Sequence, residues 1–141
     1  MDKSVIISIK GRQSYENVED ETIELVTEGL LAKEGEGAYT LSYQESELTG
    51  LEGTLTTFQI ERDRVTLLRM GEVNSQMVFE EGRQHTSLYE TPYGELSVDI
   101  QTSALRHNLS ERGGLLEIKY SIAVEHTVTG RNSFKIRVKG K

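Results

Sequence analysis

Leu116-Glu117-Ile118-Lys119-Tyr120-Ser121-Ile122-Ala123-Val124 is the stretch that decides the fold of this chain. Its large apolar residues stand at every second position, and mostly polar residues fill the positions between them. Because successive side chains of a strand point to opposite faces of a sheet, this alternation is typical of a strand with one buried face. The stretch therefore predicts a strand with one dry side and one wet side.

The same alternation recurs on both sides of this stretch. Short turn signals rich in glycine separate the runs, and glycine supplies the backbone conformations that tight hairpins require. Residues Ser103 to Ser110 allow either one helical turn or a bulged strand end, and Thr129-Gly130 predicts a turn before the last strand. The alternating runs are Val5 to Ile9, Ile23 to Leu25, Tyr39 to Tyr43, Phe58 to Ile60, Val65 to Leu68, Met77 to Phe79, Leu96 to Ile100 and Phe134 to Val138.

About eight to ten amphipathic strands joined by hairpins predict an all-β fold, an antiparallel meander in a single domain over residues 1–141. Closure of the sheet into a barrel would remove its unpaired edges, and a two-sheet sandwich is the alternative. The inside of such a barrel is either filled by side chains or holds one small ligand.

Composition excludes several functional classes. The 141 residues include no cysteine, which excludes thiol nucleophiles, cysteine-based metal sites and disulfides. The net charge of −7 argues against a nucleic-acid partner, since phosphate binding needs clustered lysine and arginine. The chain shows neither an apolar signal-peptide core nor a membrane-length apolar segment, so we expect a cytoplasmic protein that does not engage a membrane.

Arg69 is the most unusual residue of the pattern. It shares parity with Val65 and Leu67, so strict alternation places a charged side chain on an apolar face. An inward arginine is costly unless it is paired or meets an anion, and its planar fork suits a carboxylate or a phosphate. Arg69 is therefore either a ligand anchor or a structural residue, paired with a glutamate such as Glu80 or turned outward by a bulge at Gly71.

Three further residues are candidates to line a cavity beside Arg69. Met77 and Phe79 are apolar groups of the same region, and Tyr120 lies on the apolar face of its own strand. A tyrosine packs its ring while offering its hydroxyl to a partner. The alternative interpretation is that all three are ordinary core residues.

No catalytic, metal or cofactor motif is visible. His85, His107 and His126 lack the spacing of known metal-binding pairs, and no nucleophile elbow or phosphate-binding loop is present. Three functions remain: binding of a small anionic ligand or a peptide in the barrel, a side-chain-filled interaction module, and a hydrolase that uses carboxylates with His85 or His126. The run Leu30-Leu31-Ala32 places apolar residues on both faces of one strand, which favours a homodimer under the second function.

The middle and end of the chain carry short motifs in a fixed order. They are Leu41-Ser42-Tyr43 with Glu45 to Leu48, Arg69-Met70-Gly71, Ser75 to Gly82, Tyr89 to Gly94, Thr102, Gly113-Gly114 and Tyr120. These motifs resemble the YwiB-like family, a bacterial domain of unknown function found mainly in low-GC Gram-positive bacteria. The resemblance implies a lipocalin-like, calycin-type β-barrel and implies no reaction. The Gly-x-Trp signature of true lipocalins is missing, so lipid transport does not follow.

Overall fold

The computed structural model describes residues 2–14, 21–45, 52–71, 74–91, 94–125 and 127–141. They form one antiparallel sheet of ten strands. The strands are β1 (Asp2–Ser14), β2 (Glu21–Gly35), β3 (Ala38–Gln44), β4 (Thr54–Ile60), β5 (Val65–Gly71), β6 (Ser75–Phe79), β7 (Gln84–Thr91), β8 (Gly94–His107), β9 (Gly113–Val124) and β10 (Thr127–Gly140).

The sheet closes through the two ends of the chain. Its strand order is β6-β5-β4-β3-β2-β1-β10-β9-β8-β7. Neighbouring strands are consecutive in sequence, with the exception of β1, which pairs with β10. The β1–β10 ladder is long and runs without a register shift from Val5 opposite Gly140 to Ser14 opposite Arg131. The predicted meander barrel is therefore confirmed, and the sandwich alternative is wrong.

The seam of the barrel lies between β6 and β7, which pack together without being neighbours in the ladder order. The turn that joins them is fastened to β8 instead. The Gly82 amide donates to the Thr102 carbonyl at 3.0 Å, and the Thr102 amide donates to the Arg83 carbonyl at 3.3 Å. These bonds continue the β7–β8 pairing, in which Gln84 stands opposite Gln101, into the turn.

The pairing register of β9 with its two neighbouring strands tests two local predictions. Residues after Thr102 continue β8 with a shift between Thr102 and Ala104, so the bulged strand is correct and the helical turn is wrong. The turn at Thr129-Gly130 is also wrong, because the chain has already reversed where Thr127 pairs with Val124. A register shift between Val128 and Gly130 makes that site a bulge inside β10.

The core fills the interior of the barrel with the inward residues of the alternating runs. Leu41, Val65, Ile100, Leu116 and Ile118 are among its fully buried side chains. The outward residues between them are solvated, as the alternation predicts. The packed core stops short of one end of the barrel, where polar side chains turn inward.

Candidate functional site

One wall of this end of the barrel is a row of polar side chains across four strands. Tyr43 on β3 stands opposite Thr56 on β4, and Thr56 stands opposite Arg69 on β5. Arg69 in turn stands opposite Ser75 on β6. Tyr43 and Thr56 are both buried, so the row points into the barrel.

The facing wall is a second polar row on the strands at the other side of the barrel. Gln13 on β1 pairs with Asn132 on β10, and Asn132 pairs with Tyr120 on β9. Tyr120 pairs with Thr102 on β8. The Tyr120 ring lies 4.8 Å from the Phe79 ring and 5.8 Å from the Phe134 ring, between centroids. Tyr120 is thereby fixed where the packed core meets the polar end.

The two rows enclose a cavity of about 310 Å³, which we call the mouth cavity. Its size suits a small molecule. Apolar side chains from β1, β2 and β10 form part of its lining, and the remaining side chains are polar or carry a hydroxyl. Those remaining residues are Arg12, Gln13, Tyr43, Glu45, Arg69, Tyr120, Asn132 and Ser133. The apolar residues of its lining are Ile9, Ile23, Leu25 and Phe134.

Buried polar atoms without hydrogen-bond partners collect at this end of the barrel. Among the residues that the structure describes, they are Arg69 Nε, Glu45 Oε2, Asn132 Oδ1, Ser75 Oγ and Thr102 Oγ1. Every one belongs to the two rows or to Glu45, which follows Tyr43 on the same face. An unpaired buried polar group costs about 1–3 kcal/mol, and charged groups cost more. Their clustering marks a place where the fold leaves hydrogen-bonding capacity unused.

Glu45 is held in place by the first row. Its side chain is buried, and its Oε1 accepts a 2.8 Å hydrogen bond from Thr56 Oγ1. Burial, together with the negative charge of Glu45 and its hydrogen bond to the phenol, raises the pKa of Tyr43 far above its usual range. Tyr43 therefore stays neutral at any physiological pH and acts as a hydrogen-bonding group rather than a base.

The structure excludes two of the placements that were expected for a structural Arg69. Glu80 is engaged by other groups, Arg64 at 3.5 Å, Arg83 at 3.6 Å and His85 at 3.0 Å, so its pairing with Arg69 is wrong. The outward turn at Gly71 is also wrong, because β5 keeps its register with β4 through Gly71 and Arg69 lines the mouth cavity.

The other predicted lining residues are divided between cavity and core. Tyr120 lines the mouth cavity together with Arg69. Phe79 is fully buried in the core, where its ring supports that of Tyr120. Met77 is partly buried against the core and is absent from the cavity lining. Arg69 and Tyr120 are thus brought together, whereas Met77 and Phe79 contribute packing.

The residues that sequence reasoning missed are Glu45 and Asn132. Both carried the same signal as Arg69, which is a polar residue at inward parity. Glu45 lies two residues after Tyr43 and four after Leu41, and Asn132 lies two residues before Phe134, so each shares the inward parity of its neighbours. A search for every parity violation would have found them.

The two histidines that the structure describes do not line the mouth cavity. His85 contacts Glu80 at the β6–β7 seam, and His107 contacts the Arg62 carbonyl at 3.1 Å. His126 lies outside the described residues. Among the residues described, no three histidine, aspartate or glutamate side chains are grouped so that they could hold a metal ion.

Glu80 gives the seam a pH-dependent contact. The hydrogen bond from His85, followed by the charges of Arg64 and Arg83, lowers the pKa of the Glu80 carboxyl below its ordinary 4.5. A lowered carboxyl pKa stabilises the fold above its unfolded pKa, and that stability is lost as pH falls through the folded pKa.

We therefore expect Glu80→Gln to lower the melting temperature by a few degrees at pH 7. The difference from the unmodified protein should shrink as pH falls below 4.5, where the unmodified carboxyl is also losing its charge. Thermal unfolding followed by circular dichroism across pH measures this. Glu61→Gln, at an exposed turn, is the control, and an equal loss in that variant would contradict the role of the seam.

Comparison with known proteins places this barrel in a family. The family model described as a domain of unknown function, DUF1934, matches residues 7–136. The chain belongs to this family. A relative, the uncharacterized β-barrel protein YwiB of Bacillus subtilis (strain 168), is 26% identical over 104 residues, covering 74% of this chain and 71% of the relative.

The fold is shared with a solved structure of that relative. The crystal structure of the ywiB protein from Bacillus subtilis superposes with a TM-score of 0.86 at 23% sequence identity, covering 99% of this chain and 93% of that one. The DUF1934 chain described here is therefore a β-barrel of an uncharacterised family. Among its described residues, no helix has the length and hydropathy that a bilayer crossing requires.

Proposed function

We propose that this protein is a non-catalytic binding protein that holds a small polar molecule in the mouth cavity. The observation that carries the proposal is the convergence of unpaired buried atoms on one cavity. Each buried atom without a hydrogen-bond partner lowers the stability of the fold, and a ligand that forms the missing hydrogen bond restores that free energy.

The atoms specify the chemistry of the ligand. Arg69 Nε is a charged donor and calls for an acceptor such as a carboxylate. Glu45 Oε2 and Asn132 Oδ1 are acceptors and call for N–H or O–H donors. Because Arg69 and Glu45 present unpaired atoms of opposite charge to the cavity, whose lining also includes Arg12, the best match carries an anionic group and a donor together, as an amino acid or a peptide end does.

The apolar part of the cavity specifies the body of that molecule. Tyr43, Tyr120 and Phe134 present rings to the cavity, and Leu25 adds an aliphatic side chain. A ligand with a compact apolar body would bury that body against them while its polar end meets Arg69 and Glu45.

We expect the protein purified from a bacterial host related to its own to carry a reproducible extra mass in native mass spectrometry. Arg69→Met should lose that mass, because the variant keeps an unbranched apolar stem and removes the charged donor. Once the ligand is identified, calorimetry should show a loss of affinity of about 10- to 100-fold, since a hydrogen bond to a charged group contributes about 1.5–3 kcal/mol.

Arg106→Met is the matched control, because Arg106 is exposed on β8 and does not line the mouth cavity. Retention of the extra mass in Arg69→Met, with the fold intact, would overturn the proposal. The same spectra report the oligomeric state. A dimer without extra mass would favour the interaction module instead, for which exposed Val26 and Leu30 on β2 provide an apolar outer surface.

A further inference from the structure

One edge of β7 is not used by the barrel. Within the part of the chain that the structure describes, β7 pairs with β8 alone, and β6 and β7 end the strand order without pairing with each other. β6 nevertheless contacts β8 as well as β7, and its Phe79 ring reaches Tyr120 on β9. A strand paired along the edge of β7 would be separated from β8 by a full strand, so β6 lies across the inner side of β7 and β8.

The register shows which residues of β7 turn their backbone groups to this free edge. In an antiparallel pair, residues that exchange hydrogen bonds with the partner strand alternate with residues whose N–H and C=O groups point away from it. The Thr102 amide donates to the Arg83 carbonyl, so the odd-numbered residues of β7 bond to β8. The even-numbered residues, which include Thr86 and Leu88, therefore face the free edge. Among the described residues, no backbone hydrogen bond outside the β7–β8 ladder involves residues 84–88.

β7 lacks the features that usually keep an edge strand from pairing with another chain. Natural edge strands are blunted by lysine, proline or bulges. The strand from Gln84 to Thr91 contains neither lysine nor proline, and its register with β8 runs without a shift. Leu88 adds an exposed apolar side chain on the outer side of the strand. An edge of this kind is a template for the addition of an extended peptide as a further strand.

The charge around this edge identifies the kind of peptide. Residues 84–105 contain Glu90, Glu95 and Asp99 and no lysine or arginine. Glu125 at the end of β9 joins this acidic hairpin, because its carboxylate accepts a 2.7 Å hydrogen bond from a β8 amide. A second copy of the chain would place one acidic edge beside another, and like charges repel. A cationic segment is attracted to the same edge.

We propose that the free edge of β7 binds an extended, cationic segment of a partner protein by strand addition. The backbone of the segment pairs with Thr86 and Leu88, and an apolar side chain of the segment covers Leu88. Its lysine or arginine side chains compensate the negative charge of the β7–β8 hairpin. None of residues 84–91 lines the mouth cavity, so this site does not depend on the ligand proposed there.

Titration of isotope-labelled protein with the acetylated and amidated peptide KTVTK, followed by amide chemical shifts, tests the proposal. The valine and both lysines of this peptide share one face of a strand, so the valine meets Leu88 with a lysine on either side. We expect saturable shifts at residues 84–90, and binding that weakens as salt is added. Under saturating peptide, amide exchange should slow at least about fivefold at Thr86 and Leu88. It should change less than about twofold at His85 and Ser87, which already bond to β8.

Leu88→Pro is the decisive variant, because it removes an amide that faces the free edge and leaves the hydrogen bonds between β7 and β8 in place. It should abolish peptide binding while the circular dichroism spectrum stays unchanged. Leu88→Lys keeps the backbone and places a like charge at the edge, so it should weaken binding at least about fivefold even if the proline variant fails to fold. Glu95→Gln should weaken binding about two- to fivefold. Glu36→Gln, exposed at the β2–β3 turn, is the matched control and should leave binding unchanged.

Three results would overturn the proposal. The first is the absence of saturable shifts in the folded protein, and the second is undiminished binding by a folded Leu88→Pro variant. The third is equal binding of the charge-reversed peptide ETVTE, because the edge would then not select cations. Sedimentation of the free protein tests a second copy as the occupant: a dimer that Leu88→Lys dissociates would replace the cationic partner with self-pairing, whereas a monomer supports the proposal.

Discussion

Replacing Phe79 with alanine is expected to lower the free energy of unfolding by about 3–5 kcal/mol. The side chain is fully buried at the end of β6, and its ring packs against Tyr120 from the other side of the barrel. The variant loses the transfer free energy of the ring and leaves a cavity in the core. It also removes the support that fixes Tyr120 at the base of the mouth cavity.

Urea denaturation followed by circular dichroism measures this effect. Phe79→Leu should cost less, because it fills more of the space. Leu88→Ala on β7 is the control, since that side chain is 63% exposed and its truncation should change stability by less than about 0.5 kcal/mol. A loss below about 1 kcal/mol for Phe79→Ala would show that the core repacks around the gap, contrary to expectation.

Replacing Gly113 with alanine is expected to have the second large effect. Gly113 begins β9 with a φ of +115°, a backbone conformation that side chains with a Cβ rarely adopt. A Cβ there would also clash with the backbone carbonyl oxygen of Val138 on β10. The strained conformation costs about 1–3 kcal/mol and the overpacking adds about 1–3 kcal/mol.

The same denaturation experiment checks this prediction, with Gly35→Ala as the control. Gly35 has open space around its Cβ position and no left-handed conformation, so alanine should be tolerated there. Gly113→Ala should also disturb the pairing of β9 with β10 around Val138, which amide hydrogen exchange at Lys139 reports. Unchanged stability in Gly113→Ala would mean that the hairpin has freedom to shift at no cost.

Alternation alone carried most of the fold prediction. A two-residue period is a local property of the chain, and burial of one sheet face is its direct physical consequence. For that reason Leu116, Ile118 and Tyr120 could be assigned to the interior before any contact was known. The same rule placed Arg69 inside, and its position in the mouth cavity agrees with that parity.

The local sequence pattern gave wrong predictions where the backbone is irregular or where distant segments meet. The register shift at Val128 and Gly130 looks like a turn in sequence, because glycine serves bulges and turns equally well. The partner of Glu80 was equally hidden. Arg64 reaches it from the start of β5, where Val65 stands opposite Phe79, and Arg83 reaches it from the following turn.

The sequence by itself determined that this chain is an all-β barrel with charged and polar residues at inward positions, because alternation and hairpin turns are read from neighbours along the chain. Tertiary structure alone decided that β1 pairs with β10 and that the seam of the barrel lies between β6 and β7. It also decided that Arg69, Glu45 and Asn132 meet in one cavity. The physical reason is that cross-strand register joins residues more than a hundred positions apart, and periodicity carries no information about which strands become neighbours.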